Sequence, residues 1–265
     1  EYTCFETGEF GPSLRLRRSE NLYAAGQVLG TSGYEEAAAA GLLAGANAAA
    51  RALGKGETVP DRLTSYLGVM VDDLVHRGAD EPYRLFSSRA ENRLHLRQDN
   101  AQERVQALAS ELCTSKPDQV ERHRKWLRRK SEILEIMCKT KVDGQSVKEL
   151  CRRPEFKAGD ANAYLGLDTD ETDILNTLVN DLKYEGYVKR AERRLIAREK
   201  FSGRDISTIE DFSSVDSLSI EAAQSLNKVR PVTIGEAQGI SGVREADLDA
   251  LYLHLMKKDV SRGTS

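Results

Sequence analysis

Two stretches of this chain hold residue types whose spacing could do chemistry. In the first, Gly26-Gln27-Val28-Leu29-Gly30-Thr31-Ser32-Gly33-Tyr34-Glu35-Glu36-Ala37, glycines at 26, 30 and 33 lead into a run of mostly Ala, Gly and Leu that continues to Ala50. Glycine lets a backbone approach a ligand closely, and a helix start carries free N–H groups and partial positive charge, so such a turn can face an anion or a cofactor edge. The spacing Gly-x3-Gly-x2-Gly differs from the dinucleotide fingerprint, and a bare strand-turn-helix accounts for the same pattern. Glu35 and Glu36 also read as first-turn charges that complement the helix dipole. In the second stretch, from Tyr83, the residues Arg84, Arg89, Arg93 and Arg97 are interleaved with Leu85, Phe86, Leu94 and Leu96. Arginine's planar fork grips phosphate oxygens in pairs and stacks on bases. Internal ion pairing with Asp72, Asp73, Asp80, Glu81 and Glu91 is the competing reading.

The elements that must position these residues follow from pattern. Asn21 to Ala25 read as a short apolar strand before the glycine turn, and a helix runs from Tyr34 to about Leu53, stopped by Gly54-Lys55-Gly56 and Pro60. Leu63, Tyr66, Leu67, Met70, Val71, Leu74 and Val75 repeat at three-and-four spacing, which predicts an amphipathic helix packing a core. A turn over Gly78 to Pro82 delivers the arginine segment. Asp99-Asn100 could cap a helix over Ala101 to Leu112, Pro117 breaks the pattern, and a basic helix carrying Arg122, Arg124, Lys125, Arg128, Arg129 and Lys130 around Trp126 extends to about Met137. Such a charge run is either a solvated face or a source of salt-sensitive phosphate attraction. Residues 160–181 reverse the sign, with Asp160, Asp168, Asp170, Glu171, Asp173 and Asp181, and read as a protein-docking patch or as a polar rim with capping acids.

A long helix from about Glu171 to Arg198 puts Tyr184, Val188, Ala191 and Leu195 on one face and Lys183, Tyr187, Arg190 and Arg194 on another. Rings mixed with cations suit a nucleic acid, and an ordinary surface has the same look. Gly186 inside this helix points to close approach of another backbone. Ser202 to Ser219 read as loop. Short helices from Ile220 and Thr233 and a last helix with Leu248, Leu251, Tyr252, Leu255 and Met256 in one stripe complete the chain.

Bulk numbers narrow the classes. With 265 residues, 40% apolar and 31% charged, net charge -3 and pI near 6.0, there is no overall basic field, so nucleic-acid contact must come from local clusters. No apolar run approaches membrane-spanning length. Cys4, Cys113, Cys138 and Cys151 lack metal or redox spacing and are expected to stay reduced. The first residue is Glu and no basic-then-apolar leader follows it, so the chain reads as truncated at its N-terminus.

The glycine turn is followed by Asp72-Asp73-Leu74-Val75-His76-Arg77-Gly78-Ala79-Asp80-Glu81-Pro82-Tyr83-Arg84-Leu85-Phe86-Ser87-Ser88-Arg89-Ala90-Glu91-Asn92-Arg93-Leu94. Further along stand Tyr184-Glu185-Gly186-Tyr187-Val188-Lys189-Arg190 and Arg230-Pro231-Val232-Thr233-Ile234-Gly235-Glu236-Ala237-Gln238-Gly239. These ordered motifs closely resemble the GidA/MnmG family, flavin-dependent subunits that install a carboxymethylaminomethyl-type group on the wobble uridine of certain tRNAs. The resemblance implies a mainly α chain, the tail of an α/β FAD-binding domain (1–54) followed by an arginine-rich connecting region (55–115) and a C-terminal helical domain for tRNA and partner binding (116–265). It implies FAD as cofactor, NADH and methylene-tetrahydrofolate as cosubstrates, and tRNA, a GTPase of the MnmE type and a second copy in a homodimer as partners. The expected compartment is cytoplasmic, or mitochondrial in a eukaryote. Carried over by residue, Gly26, Gln27, Gly30, Thr31, Gly33, Tyr34 and Glu35 would shape the cofactor site. Arg84, Arg89, Arg93, Arg97, Tyr187, Lys189 and Arg190 would meet RNA. The family's main dinucleotide region and catalytic cysteines would lie outside this chain, and Cys4 matches no catalytic motif.

Three departures stand out: Leu29 where the family usually has Asn, Ala40 where it usually has Gln, and Arg244-Glu245 where it often has Thr-Pro, which removes a helix cap. A non-catalytic tRNA- and partner-binding module, or a relative of the folate-dependent tRNA methyltransferases, are the alternatives.

Overall fold

The computed structural model describes residues 4–78, 81–112, 114–240 and 242–262, without the side chains at 192, 194–201, 245 and 257–262. Cys113 and Asp80, and the expected facing of Arg194 and Leu195, therefore lie outside the described residues or side chains. The protein is mainly α. Helices α1 (Tyr34–Ala52), α2 (Tyr66–Asp72), α3 (Ala101–Glu111), α4 (Pro117–Lys139), α5 (Val147–Leu150), α6 (Ala158–Leu165), α7 (Thr172–Ser202), α8 (Ile220–Val229), α9 (Ile234–Gln238) and α10 (Glu245–Arg262) are joined by turns and one antiparallel hairpin, β1 (Lys141–Val142) and β2 (Gln145–Ser146). The chain divides into two compact units. One runs through Val75 and resumes after residue 78 as far as Lys189; the second holds His76–Gly78 and the chain from Arg190 onward.

In the first unit the small residues of α1 let it lie close to its neighbours. Ala40, Leu43 and Ala44 pack against Phe10, Leu14, Leu29, Met70 and Leu74, each large side chain contributing about 1.5–3 kcal/mol by leaving water. Asn47, buried on the same face, donates to the carbonyls of Ser13 and Thr58 and accepts the Thr58 N–H, stitching three segments together. The helix ends as expected at Gly54, whose φ of 68° is left-handed. The Lys55 N–H bonds the Ala50 carbonyl and the Gly54 N–H the Arg51 carbonyl, which satisfies two of the end carbonyls of α1. A second cluster joins Ile133 and Met137 of α4 to Leu175, Leu178, Val179 and Leu182 of α7.

Several expectations are corrected. Residues 21–25 form no strand: Tyr23 makes one bridge to Arg15, because only residues 14–16 run beside it before Gly26, at φ 75°, turns the chain. The amphipathic helix starts at Tyr66, where Ser65 accepts the Gly68 N–H, and Leu63 lies in the preceding turn. Past Asp72 the helix widens over Asp73–Arg77. Pro117 opens α4 instead of merely breaking a pattern, since the first helical position needs no N–H donor. Asn100 does not cap α3, because its amide donates to the His95 carbonyl and accepts from Arg104. A methyl group at Gly186 would meet nothing within 4 Å, so the expected close approach of another backbone to its Cβ side is not seen among the described residues.

In the second unit the supposed loop 202–219 supplies core: Ile206, Ile209, Phe212 and Val215 pack against Ala222, Leu226, Leu248 and Leu251. Ser219 and Thr233 cap α8 and α9 through the N–H groups of Ala222 and Glu236. Arg230, in a left-handed conformation, ends α8. Without a Thr cap, α10 is started from within: the Asp247 carboxylate accepts the Arg244 N–H at 2.9 Å and the Ser219 N–H at 2.8 Å. Burial alone would raise that carboxyl, and the two N–H donors outweigh it, leaving its pKa lowered.

Candidate cofactor turn and RNA-contact segment

Gly26–Leu29 forms one tight helical turn and Gly30 follows at φ 76°, a conformation that glycine adopts without strain. Thr31 lies wholly inside this turn. Its N–H and its hydroxyl both donate to the Gly26 carbonyl, at 3.1 and 3.0 Å. Gln27 and Val28 face outward, and no hydrogen bond engages the Gln27 amide among the described residues. Tyr34 is 94% exposed, and Glu35 is exposed as well. Glu36 is the first-turn acid that turns inward: buried, it accepts the Leu85 N–H at 3.0 Å. That N–H, together with its own backbone N–H and the nearby Arg84 charge, holds its carboxyl below the ordinary value against the cost of burial. An anion thus already occupies the start of α1, and it belongs to the protein. With the carbonyls of Gly26, Gln27, Val28 and Gly30 engaged inside the protein, the exposed Gln27 side chain is the polar group of this turn that could meet a ligand.

The arginine segment is docked on this turn. The Tyr83 N–H donates to the Gly30 carbonyl at 2.9 Å, and with the Leu85 bond to Glu36 this places Arg84 beside the glycines. Beneath the segment lies a hub that sequence reasoning missed. Arg62 donates to Asp73 at 2.7 Å, to Asp72 at 3.1 Å, to both oxygens of Glu91 and to the carbonyls of Val69 and Arg89. Tyr83 donates its hydroxyl to Asp73 at 2.9 Å, and Arg89 lies over the Tyr83 ring, 4.6 Å from its centroid. Burial, then the Asp73 carboxylate, push the Tyr83 phenol well above its usual range. No local pattern flags Arg62, because its Glu91 partner is 29 residues away.

The hub decides which arginines are free. Three of the carboxylates that could have paired with the segment, Asp72, Asp73 and Glu91, are engaged by Arg62. Arg84 and Arg93 are exposed, and neither guanidinium has a hydrogen bond or ion pair at contact distance among the described residues. Arg89 is half-buried, bonding the Arg84 carbonyl at 2.8 Å and standing 3.6 Å from Asp73. Arg97 is an internal strut, bonding Asp99 at 3.0 Å and Asp181 of α7 at 2.5 Å, with Tyr184 under its guanidinium. On α7, Tyr187 is exposed, Lys189 pairs with Glu185 at 2.5 Å, and Arg190 falls in the second unit.

The acidic span is mostly capping and pairing. Asp160 caps α6 through the Lys157 N–H, Glu171 pairs with Arg129, and Asp181 also takes Lys130 at 2.8 Å. Asp99, Asp170 and Asp173 line an open cleft of about 630 Å³ beside Trp126, whose sign is wrong for RNA phosphate. Among the described residues, no group of acids, His and Cys is arranged to hold a metal, Cys4, Cys138 and Cys151 are free thiols, and no helix is long and apolar enough to cross a membrane.

Residues 1–56 match the family described as glucose inhibited division protein A, and residues 204–264 match the tRNA modifying enzyme MnmG/GidA C-terminal helical bundle. A tRNA uridine 5-carboxymethylaminomethyl modification enzyme MnmG from Bacillus cereus (strain ATCC 10987 / NRS 248) is 36% identical over 282 residues, covering 99% of this chain. This chain belongs to the GidA/MnmG family. The Deinococcus radiodurans MnmG is 40% identical over 96% of the chain, and Aquifex aeolicus GidA superposes over 95% of it with a TM-score of 0.70 and 34% identity. The chain spans less than half of these relatives: 45% and 43% of the two MnmG sequences and 43% of the GidA structure. Against the GidA/MnmG pattern, Leu29 and Ala40 are both fully buried in the first core, so neither presents a side chain to a ligand.

Proposed function

We propose that this chain is the C-terminal part of an FAD-dependent subunit that, with a GTPase partner of the MnmE type, adds a carboxymethylaminomethyl-type group to C5 of the tRNA wobble uridine. The observation that carries the proposal is the adjacency of two chemistries: exposed Arg84 lies on a segment bonded directly to Gly30 of the glycine turn and to Glu36 in the first turn of α1. FAD, with NADH and a methylene-tetrahydrofolate donor, supplies the redox and one-carbon chemistry when bound. Gln27 would hold one polar edge of that cofactor. Arg84 and Arg93 would take tRNA phosphates, so the anticodon arm lies beside the turn; Arg89, over Tyr83, steadies the segment. Phosphate contacts set register and carry no sequence information, so uridine selection belongs to other groups. The second unit, a small helical bundle, is the proposed dock for the GTPase.

The test is tRNA binding by the purified chain across a salt series, with flavin absorbance read on the same sample. Binding that weakens steeply with salt and needs no bound flavin supports this assignment. Absence of binding at low salt counts against these residues as an RNA site. For the partner, deleting residues 220–265 from the full protein should abolish GTPase binding and leave flavin content unchanged; retained GTPase binding would refute that part.

A further inference from the structure

Gly33 is explained by what fills the space beside it. Its φ of -76° and ψ of 152° suit any residue, so the backbone does not demand glycine. The demand is spatial: a Cβ at this position would lie 2.0 Å from Glu36 Oε2 and 2.5 Å from Arg84 Nη1. Two oppositely charged side chains, 48 residues apart in sequence, meet in the one place where a methyl group is missing. Glu36 faces this point from a buried position, fixed by the Leu85 N–H, while its neighbour Glu35 is exposed.

We infer that Glu36 is a positioning residue for RNA: its carboxylate, admitted by Gly33, draws the Arg84 guanidinium against the glycine turn and presets it for a tRNA phosphate. The inference rests on the proposed tRNA reading of Arg84. An arginine side chain free in solvent samples many rotamers and loses that freedom when it binds. Here the carboxylate attracts the guanidinium without a contact ion pair, which restricts the side chain and leaves its donors available to a phosphate. The closeness of Glu36 also makes the sign of the effect diagnostic. Removing an anion near an RNA site should, by charge alone, strengthen binding; removing a positioning group weakens it.

The experiment is tRNA binding by the 265-residue chain, over a salt series, for wild type, Glu36→Gln, Arg84→Ala and the double variant, with a thermal melt of each. Glu36→Gln keeps the shape and an acceptor for Leu85. The expected result is a loss of affinity of about tenfold and a salt slope shallower by about one in both single variants, with no further loss in the double variant. Gly33→Ala should behave as Glu36→Gln does. Equal or tighter binding by Glu36→Gln, or a loss that simply multiplies with that of Arg84→Ala, overturns the inference and leaves Arg84 as an RNA contact. Loss by Glu36→Gln matched by an equal loss of folded protein in the melt also overturns it. Failure of wild type to bind, or of Arg84→Ala to weaken binding, removes the tRNA reading and the inference with it.

Discussion

The arginine segment at 84–97 and the basic face of α4 at 122–130 are rich in the same charge, but their surroundings use it differently. On α4, Arg129 pairs with Glu171 and Glu132, Lys130 with Glu103 and Asp181, and Arg122 with Asp118 one turn away. Most of that charge is neutralised by the protein. In the segment, Arg62 gathers Asp72, Asp73 and Glu91, and neither Arg84 nor Arg93 makes an ion pair at contact distance among the described residues. A count of positive residues, six on α4 against four in the segment, favours α4; the partners reverse that ranking.

The largest effect should separate the regions outright. Reversing Arg84 and Arg93 together to Glu is expected to weaken tRNA binding by about 100-fold or more, whereas reversing Arg128 and Arg129 costs less than about fivefold. Filter binding at fixed salt decides this, and equal small effects would erase the contrast. Within the segment, Arg97→Ala should destabilise the fold by about 1–2 kcal/mol, because it removes the cation shared by the partly exposed Asp99 and Asp181 while Lys130 stays on Asp181. Arg93→Ala should stay within about 0.5 kcal/mol. Denaturant unfolding compares them, and a stable Arg97→Ala protein would show that Arg97 is no strut.

Acid gives a smaller effect that acts on both regions. The Leu85 N–H holds the Glu36 carboxyl low, and the Arg129 guanidinium does the same for Glu171. A carboxyl whose pKa is lowered on folding stabilises above its unfolded value and loses that contribution as pH falls through the folded one. Stability should therefore decline below the ordinary value of 4.5, and Glu36→Gln should flatten that decline; an unchanged pH profile would count against the buried carboxylate. The smallest effect belongs to Arg122→Ala, which removes an exposed pair one helical turn long and should cost less than about 0.5 kcal/mol. A larger cost in a melt would mean that α4's surface pairs matter more than their exposure allows.

Much of the helical content was legible because apolar spacing and stop signals are local: α1 ends at its left-handed glycine, α8 begins at Ile220 as expected, and α9 begins at Ile234, one residue past the expected Thr233. The candidate site was legible only in part. Gly26, Gly30 and Gln27 could be read from a turn motif, and Arg84 and Arg93 from residue type. Which of Glu35 and Glu36 turns inward was not legible, because adjacent positions on a helix differ by about 100° in facing and only packing says which one is inside.

What the chain's own order of residues determined is the set of local structures: caps, glycine turns, amphipathic faces and the motifs that mark the family. Tertiary structure alone decided which charges are available. Arg62 reaches Glu91, Arg97 reaches Asp181, and Glu36 meets Arg84 beside Gly33. Each pair is brought together by folding across tens of residues, and the strength of an ion pair depends on separation and burial in space, which sequence distance does not encode.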